Sequence, residues 1–135
     1  MKIKETLVTE AQAEEVEKLL IQTESFISID SSDVNRALDG KTGIMYQGQE
    51  DLSVGYESFV QNFFKEILAK EQVKNCECIL LSIGNIESDP LTMTALDIVN
   101  DFLGELPSEV DAMWNVINTN PAEGLTITAI CTRSI

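Results

Sequence analysis

Residues 76–102, CECILLSIGNIESDPLTMTALDIVNDF, decide the fold. The run from Glu77 to Gly84 is apolar with little alternation, the pattern of a strand buried on both faces, and Gly84-Asn85 closes it. Asp89-Pro90 then favours a helix start with Pro90 in the first turn. Leu91, Leu96, Ile98, Val99, Phe102 and Leu103 form the apolar side of that helix, and Pro107 stops it after Leu106. Such a helix needs a hydrophobic partner, and the strand before it implies a sheet.

Working outward, TGIMYQGQ (42–49) reads as an earlier strand, and VGYESFVQNFFKEILAKE (54–71) as the helix after it. Tyr56, Phe59, Val60, Phe63, Phe64, Ile67 and Leu68 recur at helical spacing and mark a broad core face. Between them, Gly48-Gln49-Glu50-Asp51 has neither the glycine spacing nor the lysine of a nucleotide phosphate loop. Downstream, Met113–Ile117 and Leu125–Cys131 read as two strands joined through Asn120–Gly124 as a hairpin, with Trp114 packing over the sheet or a helix. Upstream, Thr9 is a good N-cap with Gln12 able to complete the reciprocal capping pair, and Val16, Leu19 and Leu20 carry a helix to about Thr23. The expected architecture is α/β (an α+β sandwich): a β-α-β-α-β-β mixed sheet with helices packed against it, preceded by an extra N-terminal helix. One domain spans 1–135, with 1–25 as the helical extension and 26–135 as the sheet-bearing unit.

Composition bounds the function. The 135 residues suffice for one core without metal or disulfides. No apolar run approaches the roughly 20 residues of a membrane span, and the opening MKIKETLVTEAQAEEVEK has no hydrophobic signal core, which points to the cytoplasm. Nine basic residues against 23 acidic ones give a net charge of -14, so nucleic acid and anionic membranes are repelled unless cations cluster; along the chain they are dispersed. Cys76, Cys78 and Cys131 are an odd set with no histidine in the chain, which argues for small buried side chains rather than a disulfide framework or a zinc site. No metal and no cofactor are expected.

The stretch ESFISIDSSDVNRALDGKTG (24–43) is the most suggestive chemically. Phe26, Ile27 and Ile29 anchor it, while Ser28, Asp30, Ser31, Ser32 and Asp33 compete for backbone hydrogen bonds, giving a loop into a short helix near Val34–Leu38 that Asp39-Gly40 stops. Asp30 or a neighbouring serine can cap that helix and do nothing more. Alternatively, Asp30 and Asp33 orient water or bind a cation.

In order, these segments resemble the C-terminal domain of the FtsZ/tubulin superfamily, closer to FtsZ than to tubulin, over Phe26 to about Thr132. FISIDSSDV resembles the loop joining the central helix to that domain, TGIMYQGQ its first strand, residues 76–102 its second strand and following helix, and NVINTNPAEGLTITAICT its terminal pair of strands. In FtsZ the loop has the form Asn-Leu-Asp-Phe-Ala-Asp-Val, and its carboxylates reach the GTP site of the next subunit. By that match Asp30 and Asp33 retain the two acids, and Ser28 replaces the asparagine. A carboxylate orients water by accepting hydrogen bonds, whereas a serine lacks the paired donor and acceptor of an amide.

The glycine-rich nucleotide-binding half of FtsZ has no counterpart in this sequence. The resemblance therefore implies no intrinsic catalytic residue, with Ser28, Asp30 and Asp33 as docking or trans-acting residues. The implied partner is an FtsZ/tubulin-like protein or a second copy, with GTP touched only in trans. That corresponds to a non-enzymatic modulator of a cell-division polymer that caps filaments. A stand-alone adaptor for an unrelated protein and a small-molecule enzyme using Asp30 and Asp33 are the other classes.

Overall fold

In the computed structural model, which describes residues 1–21 and 29–135, the doubly apolar run is the centre of the molecule. Strand β3 (Cys78–Asn85) is buried at every position, because it has strands on both sides and helices on both faces. The other strands are β1 (Lys2–Thr9), β2 (Lys41–Glu50), β4 (Asp111–Asn118) and β5 (Leu125–Ser134). They form one sheet in the order β1-β2-β5-β3-β4, in which only β3 and β4 run parallel.

Helices α1 (Ala13–Leu20), α2 (Ser31–Leu38), α3 (Tyr56–Leu68), the single turn α4 (Glu71–Lys74) and α5 (Met93–Glu105) cover both faces. Alternation along the strands divides the core in two. Ile79, Leu81, Ile83, Ile127 and Ala129 meet Phe59, Phe63, Val99 and Phe102 of α3 and α5. On the opposite face Cys78, Leu80 and Ile130 meet Val16, Leu20, Val34 and Leu38 of α1 and α2. Each fully buried large side chain removes enough apolar surface to contribute about 1.5–3 kcal/mol before entropy, so this double layer secures a chain of this size without cross-links. Phe64 and Phe102 stack with ring centroids 4.0 Å apart and fix α3 against α5. At the other end of β3, the Asn85 side chain accepts from Leu91 N at 2.8 Å and donates to Asn118 Oδ1 at 3.2 Å, tying the start of the crossover to its return strand.

The mixed sheet with helices against it is as expected, and so is the helix start at Thr9; Pro90, expected in the first turn of α5, instead precedes it, because the Thr92 hydroxyl caps the helix by accepting from Ala95 N at 3.1 Å and α5 begins at Met93. Two expectations need correction. The N-terminal extension is not only helical: Lys2–Thr9 is a full strand, antiparallel to β2, and the helix begins after it. Its lysines and glutamate dilute the apolar signal, which an edge strand with one exposed side tolerates. The second correction concerns Asn120–Gly124, which is not a hairpin turn. The β3-α5-β4 crossover places β4 parallel to β3 on its outer side, and β5 then returns across β3 to pair with β2 and β3. Short spacing between two strands suggests a hairpin, and here the parallel pairing overrides it. Trp114 packs against the larger core, and all three cysteines are buried, as expected.

Candidate functional site

The sequence Asp30-Ser31-Ser32-Asp33 builds a reciprocal cap. Extended backbone at Asp30 turns its side chain back over the first turn of α2, where Oδ1 accepts from Asp33 N at 3.0 Å and from Ser32 Oγ at 2.7 Å. The Asp33 carboxylate accepts from Asp30 N at 3.0 Å. Two of the helix's orphan donors are thereby satisfied, and both acids lie at the positive end of the helix dipole. The Ser32 hydroxyl and the Asp33 amide together hold the Asp30 carboxyl below the usual carboxylate range, so it stays ionised at neutral pH.

Helix α2 is pinned from below by buried Ile29, Val34, Ala37 and Leu38, and by the Thr132 hydroxyl, which donates to Ala37 O at 2.5 Å. Lys41 Nζ donates to Arg36 O at 2.7 Å near the helix's negative end. On the outer side Arg36 joins three elements. Its guanidinium lies 3.5 Å from Asp33 Oδ1, bonds Asp111 Oδ2 at 2.7 Å, and touches Met113 Sδ. The acidic helix start is therefore braced against the first residues of β4.

Of the sequence candidates, the structure brings Asp30 and Asp33 together at one exposed helix start, while Ser28, with Phe26 and Ile27, lies outside the described residues. Both acids already hold intramolecular hydrogen bonds, and their outward surfaces can accept further ones from a cation or an N–H donor. Sequence reasoning missed Arg36 and Asp111. The spacing of Arg36 three residues after Asp33 was a local signal, but its partner Asp111 is 75 positions away and carried none.

Elsewhere, Glu50, Asp51 and Glu123 share an open depression of about 560 Å³, in which Glu50 binds the terminal ammonium of Met1 at 2.9 Å and Asp51 caps a turn by accepting from Ser53 N at 2.9 Å. Among the described residues no group of three His, Cys, Asp or Glu side chains is placed to hold a metal, and no helix is long and apolar enough to cross a membrane. Burial pushes the Cys78 thiol up to about 11, and contact with Cys76 together with burial raises Cys131, so neither is a thiolate at neutral pH.

No family model matches the sequence, and no curated protein matches it. Among solved structures, an empty FtsZ dimer from M. jannaschii is similar over 90% of this chain and 36% of that chain, with a TM-score of 0.66 and 16% identity. The fold is that of the FtsZ C-terminal domain. The chain thus spans about a third of the FtsZ chain it matches. A candidate translation initiation inhibitor from Salmonella typhimurium is similar over 84% of this chain and 95% of that chain, with a TM-score of 0.40 and 11% identity, too distant to bear on the site. Along the chain, the Asp30–Asp33 cap opens α2 immediately before β2.

Proposed function

We propose that this chain is a non-enzymatic partner of an FtsZ/tubulin-like GTPase polymer in cell division, docking through residues 28–34 and capping filaments. The observation that carries the proposal is the superposition of nine-tenths of the chain on an FtsZ chain of which it spans only 36%. Residues 1–135 taken by themselves offer the acidic helix start and hold no phosphate-binding loop, so on this reading they engage one neighbour and present no nucleotide site of their own to the next. Filament growth at that end stops.

The state of the carboxylates favours docking over stimulation of hydrolysis. Asp30 Oδ1 is occupied by Ser32 and Asp33 N, and Asp33 is shared between Asp30 N and Arg36. Groups held this firmly make good fixed acceptors for a partner's cation or amide. Fixed in this way, they are less free to reorient toward an attacking water than an unpaired carboxylate would be.

The test is to titrate the protein into an FtsZ-like polymer and follow GTP turnover and filament mass together. Capping lowers both in proportion. Higher turnover per filament would replace capping by hydrolysis in trans, and no change in either, with no direct binding, would remove the polymer partner. Charge-removing, cap-preserving variants Asp30→Asn and Asp33→Asn should weaken binding; if both bind fully, the acidic start is not the docking surface. In that case the adaptor reading takes over, favoured by the cap's self-sufficiency as a structural element.

A further inference from the structure

The three cysteines divide between the two faces of the sheet. Cys78 opens β3 and packs into the core under α1 and α2, whereas Cys131 of β5 and Cys76 lie in the core under α3 and α5. Strict alternation would put Cys76 on the face of Cys78. Instead the chain leaves α4 with Cys76 N donating to Val73 O at 3.4 Å, and it joins β5 only at Glu77, whose N–H donates to Thr132 O at 2.8 Å. That turn swings Cys76 into the core that holds Ile79, the residue directly opposite Cys131. There its thiol meets that of Cys131, while Cys78 is kept away on the other side of the sheet.

The two thiols in contact are not alike. The Cys131 thiol hydrogen-bonds the Cys76 sulfur and holds it below the ordinary thiol value of 9.0. The same contact, together with burial, raises Cys131 well above it. Cys76 is therefore the sulfur that ionises and attacks, and Cys131 keeps its proton until it resolves.

Access and movement fit that division. Cys76 is 7% exposed against 1% for Cys131, and Asn75, Gln72 and Cys131 all border a groove of about 370 Å³ between α4 and the β2–β5 pair. Helix α4 is a single turn with Val73 as its one buried residue. The segment carrying Cys76 thus yields more readily than the central strands beside it.

We infer that Cys76 and Cys131 form a reversible intramolecular disulfide when a hydroperoxide reaches this groove, tying the α4–β3 junction to β5. The Cys76 thiolate attacks one oxygen of hydrogen peroxide and the O–O bond breaks. A Cys76 sulfenic acid forms, and the departing hydroxide takes up the proton that Cys76 released and leaves as water. The Cys131 sulfur then attacks the sulfenic sulfur, and its proton leaves with the displaced hydroxyl as a second water. The two sulfurs together lose two electrons, and the peroxide gains them. Exchange with a small dithiol reverses the bridge. In a reducing compartment such a bridge is transient and acts as a signal rather than a staple.

The test treats the folded full chain with hydrogen peroxide, alkylates it after denaturation, and reads intact mass and peptides. Cleavage after glutamate separates the cysteines into residues 72–77, 78–87 and 124–135. Alkylatable cysteines should fall from three to one, with 72–77 joined to 124–135, and dithiothreitol should restore all three. Cys78→Ala should leave the bridge intact, and in Cys131→Ala dimedone should trap a sulfenic acid on Cys76. Because Cys131 is a core position, the bridge in the unsubstituted chain is the deciding readout. Three free thiols after treatment overturn the proposal, and so do a bridge through 78–87, a bridge between two chains, and oxidation of Cys76 that runs on to the sulfinic acid without a bridge.

Discussion

Asp30 and Asp33 each accept the other's backbone N–H at 3.0 Å. The same two residues are thus a structural cap and the candidate docking surface, and substitution can separate the roles. An amide oxygen preserves the cap and removes the charge, whereas alanine removes both. Asp30→Ala should lower the melting temperature by about 2–4 °C, and Asp30→Asn by less than half of that, as read by thermal circular dichroism. Equal losses would mean that the carboxylate charge, rather than the hydrogen bond, stabilises the helix start.

Acid should unfold the protein through a small set of held carboxylates. Glu77 accepts from Ser134 N and Ser134 Oγ, both at 3.0 Å, and lies below its ordinary 4.5; Ser32 and Asp33 N lower Asp30, and Ser53 lowers Asp51, both from 3.8. A depressed carboxyl binds protons less readily folded than unfolded. Its stabilisation is therefore complete above the unfolded value and disappears as pH falls through the folded one. Melting temperature should be flat from about pH 7 to 5 and fall below about pH 4.5. Glu77→Gln should make that fall shallower; an unchanged slope would remove the β5 terminus from the acid response.

Two glycines should respond in opposite directions. A Cβ on Gly43 would overlap the carbonyl oxygen of Cys131 on the neighbouring strand, whereas Gly104, within α5, has nothing within 4 Å of where its Cβ would be. Gly104→Ala should raise stability in urea by about 0.5–1 kcal/mol. Gly43→Ala should destabilise severely, with loss of soluble protein as the readout.

Tyr46 is fully buried between β1 and β5, and its hydroxyl has no hydrogen-bond partner among the described residues. Burial pushes its phenol up to about 12. Because the folded value exceeds the unfolded one, the neutral ring's contribution is present below about pH 10 and is lost as pH rises toward 12. Tyr46→Phe should add about 1 kcal/mol at neutral pH by removing an unsatisfied buried hydroxyl, and should blunt alkaline unfolding. A loss of stability would instead reveal a partner for the hydroxyl.

How much of this was legible in the sequence follows from the range of each interaction. Periodicity located α3 and α5, whose apolar faces repeat every third to fourth residue, while β3 was legible as a short uninterrupted apolar run and β2 as the strand before α3. The Thr9 and Asp30 caps were visible because a cap spans only four residues. The FtsZ-like fold could be recognised from the order of these segments. Tertiary structure alone decided the rest. Strand β1 forms because β2 offers it an edge, not because Lys2–Thr9 is strongly apolar. The outer position of β4 follows from its parallel pairing with β3 through the α5 crossover, which no local spacing encodes. The Arg36–Asp111 brace joins residues 75 positions apart, and the Lys70–Glu5 pair exists only because the fold brings the segment before α4 to β1. Local hydrogen bonds and periodicity act within a few residues and can be read along the chain, whereas pairing partners and charge neighbours depend on which segments the closed core brings together.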